Sequence, residues 1–158
     1  MPRARGGRMM QVLEFELGAT RYGLPVARVV EVVPRVWLTP LPAAAPIFVG
    51  AFNYRGAAVV AVAIRARFGL PARPPSADDH LLVVRGAQRV LALVVDRVCD
   101  LREVGAHEVQ LPPVPLPHVR GVVPLGDGLL LLEDLDALLG ADEESSIDRA
   151  LPAGAWPR

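Results

Sequence analysis

The chain has 158 residues, enough for one compact unit or two very small ones. Acidic and basic residues balance at 17 each, every base is arginine, and so no net basic field exists to hold a nucleic-acid backbone, nor any lysine to complete a phosphate-cradling loop. The single cysteine, Cys99, excludes an intrachain disulfide and reads as a buried thiol in a reducing cytoplasm.

In chain order, "MPRARGGRMM" carries three arginines with no apolar run behind them, which is not a signal peptide. Residues 1–10 are expected to be a flexible tail, with Met9 or Met10 as alternative starts. Val12 to Leu17 reads as a strand, Gly18-Ala19-Thr20-Arg21 as a tight turn, and a second strand ends at Val26. "RVVEVV" follows as a third. Ile47 to Phe52 and Ala57 to Ile64 flank the turn Asn53-Tyr54-Arg55-Gly56, and "IRARFG" makes a short helix. Pro71 to Asp79 is a Pro-rich linker. The order then resumes, with Leu81 to Val84, the turn Gly86-Ala87-Gln88-Arg89, and a strand ending in Val94-Val95. "LPPVPLPH", Leu111 to His118, is a stiff loop rather than a polyproline ligand, because it lies between strands. Leu129 to Leu132 and a closing helix over about 133–140 end the pattern. Residues 141–158 lack a periodic apolar face and are expected to form a second flexible tail, with Trp156 a bystander. No apolar segment approaches the ~20 residues that span a bilayer.

The two halves match. Gly18-Ala19-Thr20-Arg21 returns as Gly86-Ala87-Gln88-Arg89, and "IRARFG", Ile64 to Gly69, returns as "LDALLG", Leu135 to Gly140. Gly50 and Gly121 share the spacing of that second match. Three matches in one order, at nearly one spacing, indicate a duplicated unit. Val-rich runs punctuated by Gly and Pro favour short strands, and five strands in about 65 residues can close into a small barrel. The expected fold is mainly β: two five-stranded barrels with short helices, the first over about 11–70, the second over about 80–132, joined by the linker 71–79.

Catalytic groups are sparse. His80, His107 and His118 show no metal-ligand spacing with one another or with Cys99. Asp78-Asp79-His80 opens a strand after a linker, and Asp142-Glu143-Glu144 is a solvated acidic run. No catalytic residue, metal ligand or cofactor site is expected.

Asn53 is the one asparagine in the chain. Asn and Gly tolerate positive φ and suit a turn, but a turn does not require Arg55. Here the sequence resembles the CheW-like adaptor family. Its short G-x-x-N-L-R-G signature stands as Gly50-Ala51-Phe52-Asn53-Tyr54-Arg55-Gly56, and further matches are "FELGATRYGLPVARVVEVV", "VVDRVCDLREV" and "GVVPLGDGLLLLEDLDALL". The resemblance spans about Gln11 to Gly140. It implies two SH3-like barrels and a non-enzymatic adaptor that couples the cytoplasmic tip of a chemoreceptor (a methyl-accepting chemotaxis protein) to the regulatory domain of a CheA-type histidine kinase. It implies a cytoplasmic location at membrane-associated receptor arrays, without membrane insertion or nucleic acid. The alternative is a scaffold of the same shape in another motility pathway, gliding or pilus-based, without kinase contact.

The same resemblance assigns residues. Arg55 pairs with Glu31 beside a receptor-binding groove between the barrels, which Val29, Val32, Val95 and Val98 line. Asn53 and Tyr54 belong to the same surface, and Gly56 shapes the turn. Leu38 and Leu41 mark the kinase-binding face. Three departures stand out. Tyr54 replaces the usual Leu. Ala57 and Ala58 replace larger apolar residues. Ala63 replaces the Asp that caps the first short helix, whereas its repeat partner Asp134 can cap the second; a lost N-cap, worth ~1 kcal/mol, would fray the first.

Overall fold

The computed structural model describes residues 8–74 and 76–150. Ten strands run in chain order: β1 Met9–Leu17, β2 Thr20–Pro25, β3 Val29–Pro34, β4 Phe48–Tyr54, β5 Ala57–Val62, β6 His80–Arg85, β7 Val90–Val95, β8 Arg97–Gly105, β9 Val119–Leu125 and β10 Gly128–Glu133. Short 3-10 turns follow β2 (Val26–Arg28), β5 (Ile64–Phe68), β8 (Ala106–Glu108) and β10 (Leu135–Ala137), and helix α1 spans Ala141–Ala150. The fold is mainly β, as the valine-rich runs lead one to expect.

The strands form two five-stranded sheets, ordered β8-β1-β2-β10-β9 and β3-β6-β7-β5-β4. Neither sheet is a sequence half. This corrects the expected boundaries of 11–70 and 80–132: β1 and β2 leave the first half to join β8, β9 and β10, while β6 and β7 join β3, β4 and β5. The duplication itself holds in the topology. Replacing β1–β5 by β6–β10, and the reverse, converts one strand order into the other. The register repeats as well. Thr39 bridges Ala51, and Gln110 bridges Val122, both partners advanced by the spacing that separates Gly50 from Gly121. Gly50 opposes Ala61 as Gly121 opposes Leu132. The two repeats are thus interlocked by strand exchange.

Three apolar clusters explain the unbroken hydrophobic runs. Side chains alternate across a strand, so β5, β6 and β7 feed two cores. Val60, Val62, Leu82, Val84, Leu91 and Leu93 face a large cluster shared with Leu13, Phe15, Leu17, Tyr22 and Leu24 of the other sheet. Val59, Ala61, Leu81, Val83 and Ala92 face a smaller cluster of their own sheet. Val12, Val104, Val123, Leu130 and Leu132 form the counterpart within the β1-containing sheet. Both faces of these strands are therefore dry, which is why polar residues do not alternate along them.

Both expected tails are shorter than their sequence suggests. Met9 and Met10 already pair with Gly105 and Val104 in β1, so the ordered chain begins before residue 11. Residues 141–150 are helical rather than a tail: Ile147 is buried with Leu135 and Leu138 in the shared cluster. The acidic residues of α1 meet arginines, Glu143 with Arg67, and Glu144 and Asp148 with Arg89. One apolar anchor and three ion pairs give no hydrophobic periodicity to read. Trp156 lies outside the described residues.

The closing helix expected over 133–140 is only the turn Leu135–Ala137, with Glu133 still in β10. Asp134 does cap it, accepting the Asp136 N–H at 3.1 Å. Uncapped at Ala63, the first turn is nonetheless the longer one, Ile64–Phe68, closed by Gly69 at φ 71°.

Candidate functional site

Tyr54 and Ala57 are register partners at the end of the β4–β5 hairpin, so Arg55 and Gly56 form its two-residue turn. Both have positive φ, 53° and 88°, the pattern of a type I′ turn. Asn53 does not itself adopt positive φ. Its role is a hydrogen bond: the Gly56 N–H donates to Asn53 Oδ1 at 2.7 Å. The asparagine thus holds the turn from the strand while Arg55, an arginine in a conformation that favours glycine, occupies its tip.

Glu31 lies on β3, at the opposite edge of the same sheet. It accepts from Arg55 Nη2 at 2.7 Å and from the Tyr54 hydroxyl at 2.5 Å. In a flat sheet the first and fifth strands would stand roughly 19 Å apart, so contact between β3 and β4 requires the sheet to curl until its edges approach. The Tyr54 hydroxyl, absent from the usual Leu, thereby adds a bond across the seam, and donating to a carboxylate raises its pKa. Arg55 Cζ also lies 5.2 Å from the Tyr54 ring centroid, within cation–π range. The Arg55 side chain remains 73% exposed. The array holds a cation in one orientation while leaving it open to solvent.

The other expected site residues divide between two faces. Glu31 opposes Val83 of the small cluster, whereas Val29 and Val32 oppose Val84 and Leu82 of the shared cluster. A bulge between Val29 and Glu31 and the ordinary alternation of a strand put Val29 and Val32 on the side between the sheets, away from the carboxylate. Val29 and Val98 are half-buried against the shared cluster, and Val32 is exposed. Val95 is completely buried in that cluster and has no surface to offer a partner, which removes it from the expected set. Leu38 and Leu41 are half-buried and pack inward, one against each cluster of the β3-containing sheet. Their neighbour Trp37 is 84% exposed, with Val36 exposed beside it. Trp37 went unnoticed in the sequence; its signal was a large aromatic in a chain with only two tryptophans.

A second polar centre was also missed. Arg35, Asp79, Arg73, Asp96 and Arg65 alternate in sign along a chain of ion pairs bordering a cavity of about 200 Å³. Asp96 is its hub. It accepts from the Gly18 N–H at 2.7 Å, from Arg65 at 2.8 Å and from Arg73 at 2.6 Å. Burial opposes its charge, but these donors outweigh burial and hold its pKa below the ordinary value. Among the described residues no cluster of His, Cys, Asp and Glu has metal-binding geometry, and no helix is long and apolar enough to cross a membrane.

Two interlocked five-stranded sheets, with an exposed and pre-oriented arginine at the seam of one of them, define a duplicated, mainly β scaffold rather than a catalytic cleft. The family model for the CheW-like domain matches residues 11–143, and the chain belongs to that family. It is 27% identical to the chemotaxis protein CheW of Treponema pallidum over 90% of this chain and 89% of that one. It is equally 27% identical to the chemotaxis protein CheW of Rhizobium meliloti, over 89% and 93%. Its fold is similar to that of the scaffolding protein TtCheW from Thermoanaerobacter tengcongensis, with a TM-score of 0.79 and 24% identity over 86% of this chain and 96% of that one.

Proposed function

We propose that the chain is a non-enzymatic adaptor that links the cytoplasmic tip of a chemoreceptor to the regulatory domain of a chemotaxis-type histidine kinase, at receptor arrays on the inner side of the membrane. The observation that carries this reading is the Arg55–Glu31–Tyr54 array, which orients the guanidinium by an ion pair and a ring contact while its side chain stays 73% exposed. An ion pair this exposed contributes little to folding, typically below ~1 kcal/mol. Its value lies in presenting Arg55 to a partner of opposite charge or to a carbonyl-rich helix end.

Two surfaces follow. The receptor reads Arg55 with the turn residues Asn53 and Tyr54, and the strip of half-buried Val29 and Val98 with exposed Val32 between the sheets supplies apolar area. The kinase takes the loop that carries Leu38 and Leu41. In that loop the two leucines support the fold, and the contact falls to Val36 and Trp37, since exposed tryptophans dominate interface energetics when they become buried. Ala57 and Ala58, where the family has larger apolar residues, pair with Tyr54 and Asn53 beside the Arg55 turn and bring little apolar bulk to either surface, which leaves Trp37 as the principal anchor of the kinase contact.

Calorimetry with a receptor-tip fragment and with a kinase regulatory domain tests both surfaces separately. Arg55→Ala should weaken receptor binding about tenfold, and Arg55→Glu more, with the melting temperature nearly unchanged. Trp37→Ala should weaken kinase binding at least tenfold and leave receptor binding alone. Wild-type receptor affinity in Arg55→Glu would end the reading of the turn, and unaltered kinase affinity in Trp37→Ala would end that of the loop.

A further inference from the structure

The chain crosses between the sheets at two places that occupy equivalent positions in the two repeats. Arg28 is the last residue before β3, and Asp96 is the last before β8. Arg65 is the second residue of the turn after β5, and Asp136 is the second of the turn after β10. Each crossing residue pairs with one of these turn residues. Asp96 binds Arg65 at 2.8 Å, and Arg28 binds Asp136 at 2.8 Å. The positions correspond, but the charges are reversed.

The reversal extends to the backbone. Asp96 takes a proton donor from the β1–β2 hairpin, the Gly18 N–H. Arg28 finds an acceptor at the matching point of the β6–β7 hairpin, donating from Nε to the Arg85 carbonyl at 2.8 Å. Residues 17–18 and 85–86 are the same step of the duplicated sequence. Arg85 Nη1 in turn donates to the Ala27 carbonyl at the crossing.

We infer that these two latches form an electrostatic pairing code that selects association of the first repeat with the second, and rejects association of either repeat with a copy of itself from another chain. A strand-exchanged fold carries that hazard, because each repeat is built to accept a partner of its own topology. Pairing of two first repeats would set Arg28 beside Arg65. Pairing of two second repeats would set Asp96 beside Asp136. Both latches would become like-charge contacts, which are destabilising by the same interaction that stabilises the correct pair, and a repulsive element of this kind is how specificity against near-identical partners is achieved. Only the unlike pairing satisfies both ion pairs at once.

The exchange Arg28→Asp with Asp136→Arg, made in the full chain, keeps both intrachain ion pairs while giving the two latches one polarity. The code is then erased without losing a charge. The variant should retain a melting temperature within a few degrees of wild type. On refolding from denaturant at high protein concentration it should yield several times more dimer and higher oligomer than wild type, measured by size-exclusion chromatography with light scattering. High salt should raise the oligomer fraction of wild type toward that of the variant, since screening weakens the discrimination. A second variant, Arg28→Ala with Asp136→Ala, removes one latch without introducing new charges and should give an intermediate oligomer fraction. Monomer yields equal to wild type in both variants would overturn the pairing code.

Discussion

Val62 and Glu133 hold the same place in the two repeats, at the end of the fifth strand of each. Val62 opposes Phe48 and Glu133 opposes Val119, and those partners match in the repeat as well. Both side chains are buried. Val62 belongs to the shared core, whereas neither carboxyl oxygen of Glu133 has a hydrogen-bond partner. The comparison separates what the duplicated fold demands from what it tolerates. Topology, bridges and glycines repeat; the charged and core chemistry laid over them diverges, as the reversed latches and the Ala63–Asp134 cap also illustrate.

The largest expected effect comes from restoring the first repeat's residue in the second. Burial, reinforced by neighbouring Asp134, raises the Glu133 carboxyl from 4.5 to about 8. A raised acid pKa means the folded state holds a proton that the unfolded state releases. The contribution to stability is therefore full below the unfolded value of 4.5 and is lost as pH rises through about 8. Glu133→Val should stabilise the protein by about 3 kcal/mol at pH 8, the cost of an unpartnered buried polar group. Denaturant titrations from pH 5 to 8 should fall in wild type and be flatter in Glu133→Val and in Glu133→Gln. A wild-type profile that rises steadily across that window would show that Glu133 does not titrate in the core.

The latches offer the next contrast. Asp96 gathers Gly18, Arg65 and Arg73 in a setting where both it and Arg65 are mostly buried, whereas Asp136 is 66% exposed. Asp96→Ala should cost about 2 kcal/mol, because removing one partner strands the others. Asp136→Ala should cost below ~1 kcal/mol. The depressed Asp96 pKa runs opposite to that of Glu133: its stabilisation is present above the unfolded carboxylate value and is lost as pH falls through the lower folded one. Urea midpoints at neutral and acid pH would separate the two, and equal costs for Asp96→Ala and Asp136→Ala would abolish the contrast.

What the sequence disclosed follows the same division. Gly18 with Gly86, Gly50 with Gly121, and the valine-rich runs revealed the duplication and the strands, because turns and dry strands restrict residue choice locally. Strand exchange left no such mark: β6 and β7 are apolar on both faces, β1 and β2 turn one apolar face to the shared core whichever sheet they join, and nothing in a hairpin says which sheet that is. Helix α1 was hidden because one isoleucine and distant arginines, Arg67 and Arg89, hold it. The contact between Glu31 and Arg55 was legible through resemblance, but alternation sends Val32 to the other face, and the bulge between Val29 and Glu31, which no residue pattern announces, sends Val29 there too. That Tyr54 adds a hydroxyl where the family usually has Leu was legible; that the hydroxyl bonds Glu31 across the seam was not, because the curl that brings β3 to β4 is not written in either strand.

The hairpin turns at the ends of the two fourth strands differ too. The second uses Gly126-Asp127 between Leu125 and Gly128, while the first uses Arg55-Gly56 braced by Asn53. Asn53→Ala should cost about 1 kcal/mol by freeing the Gly56 N–H from its acceptor. Chemical denaturation measures it, and a cost near zero would mean that water replaces the side chain without loss.

The smallest effect is the most informative about function. Arg55 sits at φ 53°, where a side chain costs roughly 1–2 kcal/mol relative to glycine, and its ion pair and ring contact recover part of that. Arg55→Gly should therefore change stability by less than ~1 kcal/mol, in the direction of a gain, because exposed ion pairs are weak. Receptor-tip binding should fall by at least tenfold in the same variant. Stability retained with binding lost would mean that the strain at Arg55 serves recognition. A clear loss of stability, about 2 kcal/mol or beyond, would instead make Arg55 a structural clasp between β3 and β4. Tyr54→Phe distinguishes the two readings further, since it removes the second bond to Glu31 while leaving the guanidinium in place. If the seam is what matters, Tyr54→Phe should cost stability and spare binding; if orientation of Arg55 matters, binding should weaken a few-fold while the unfolding midpoint hardly moves.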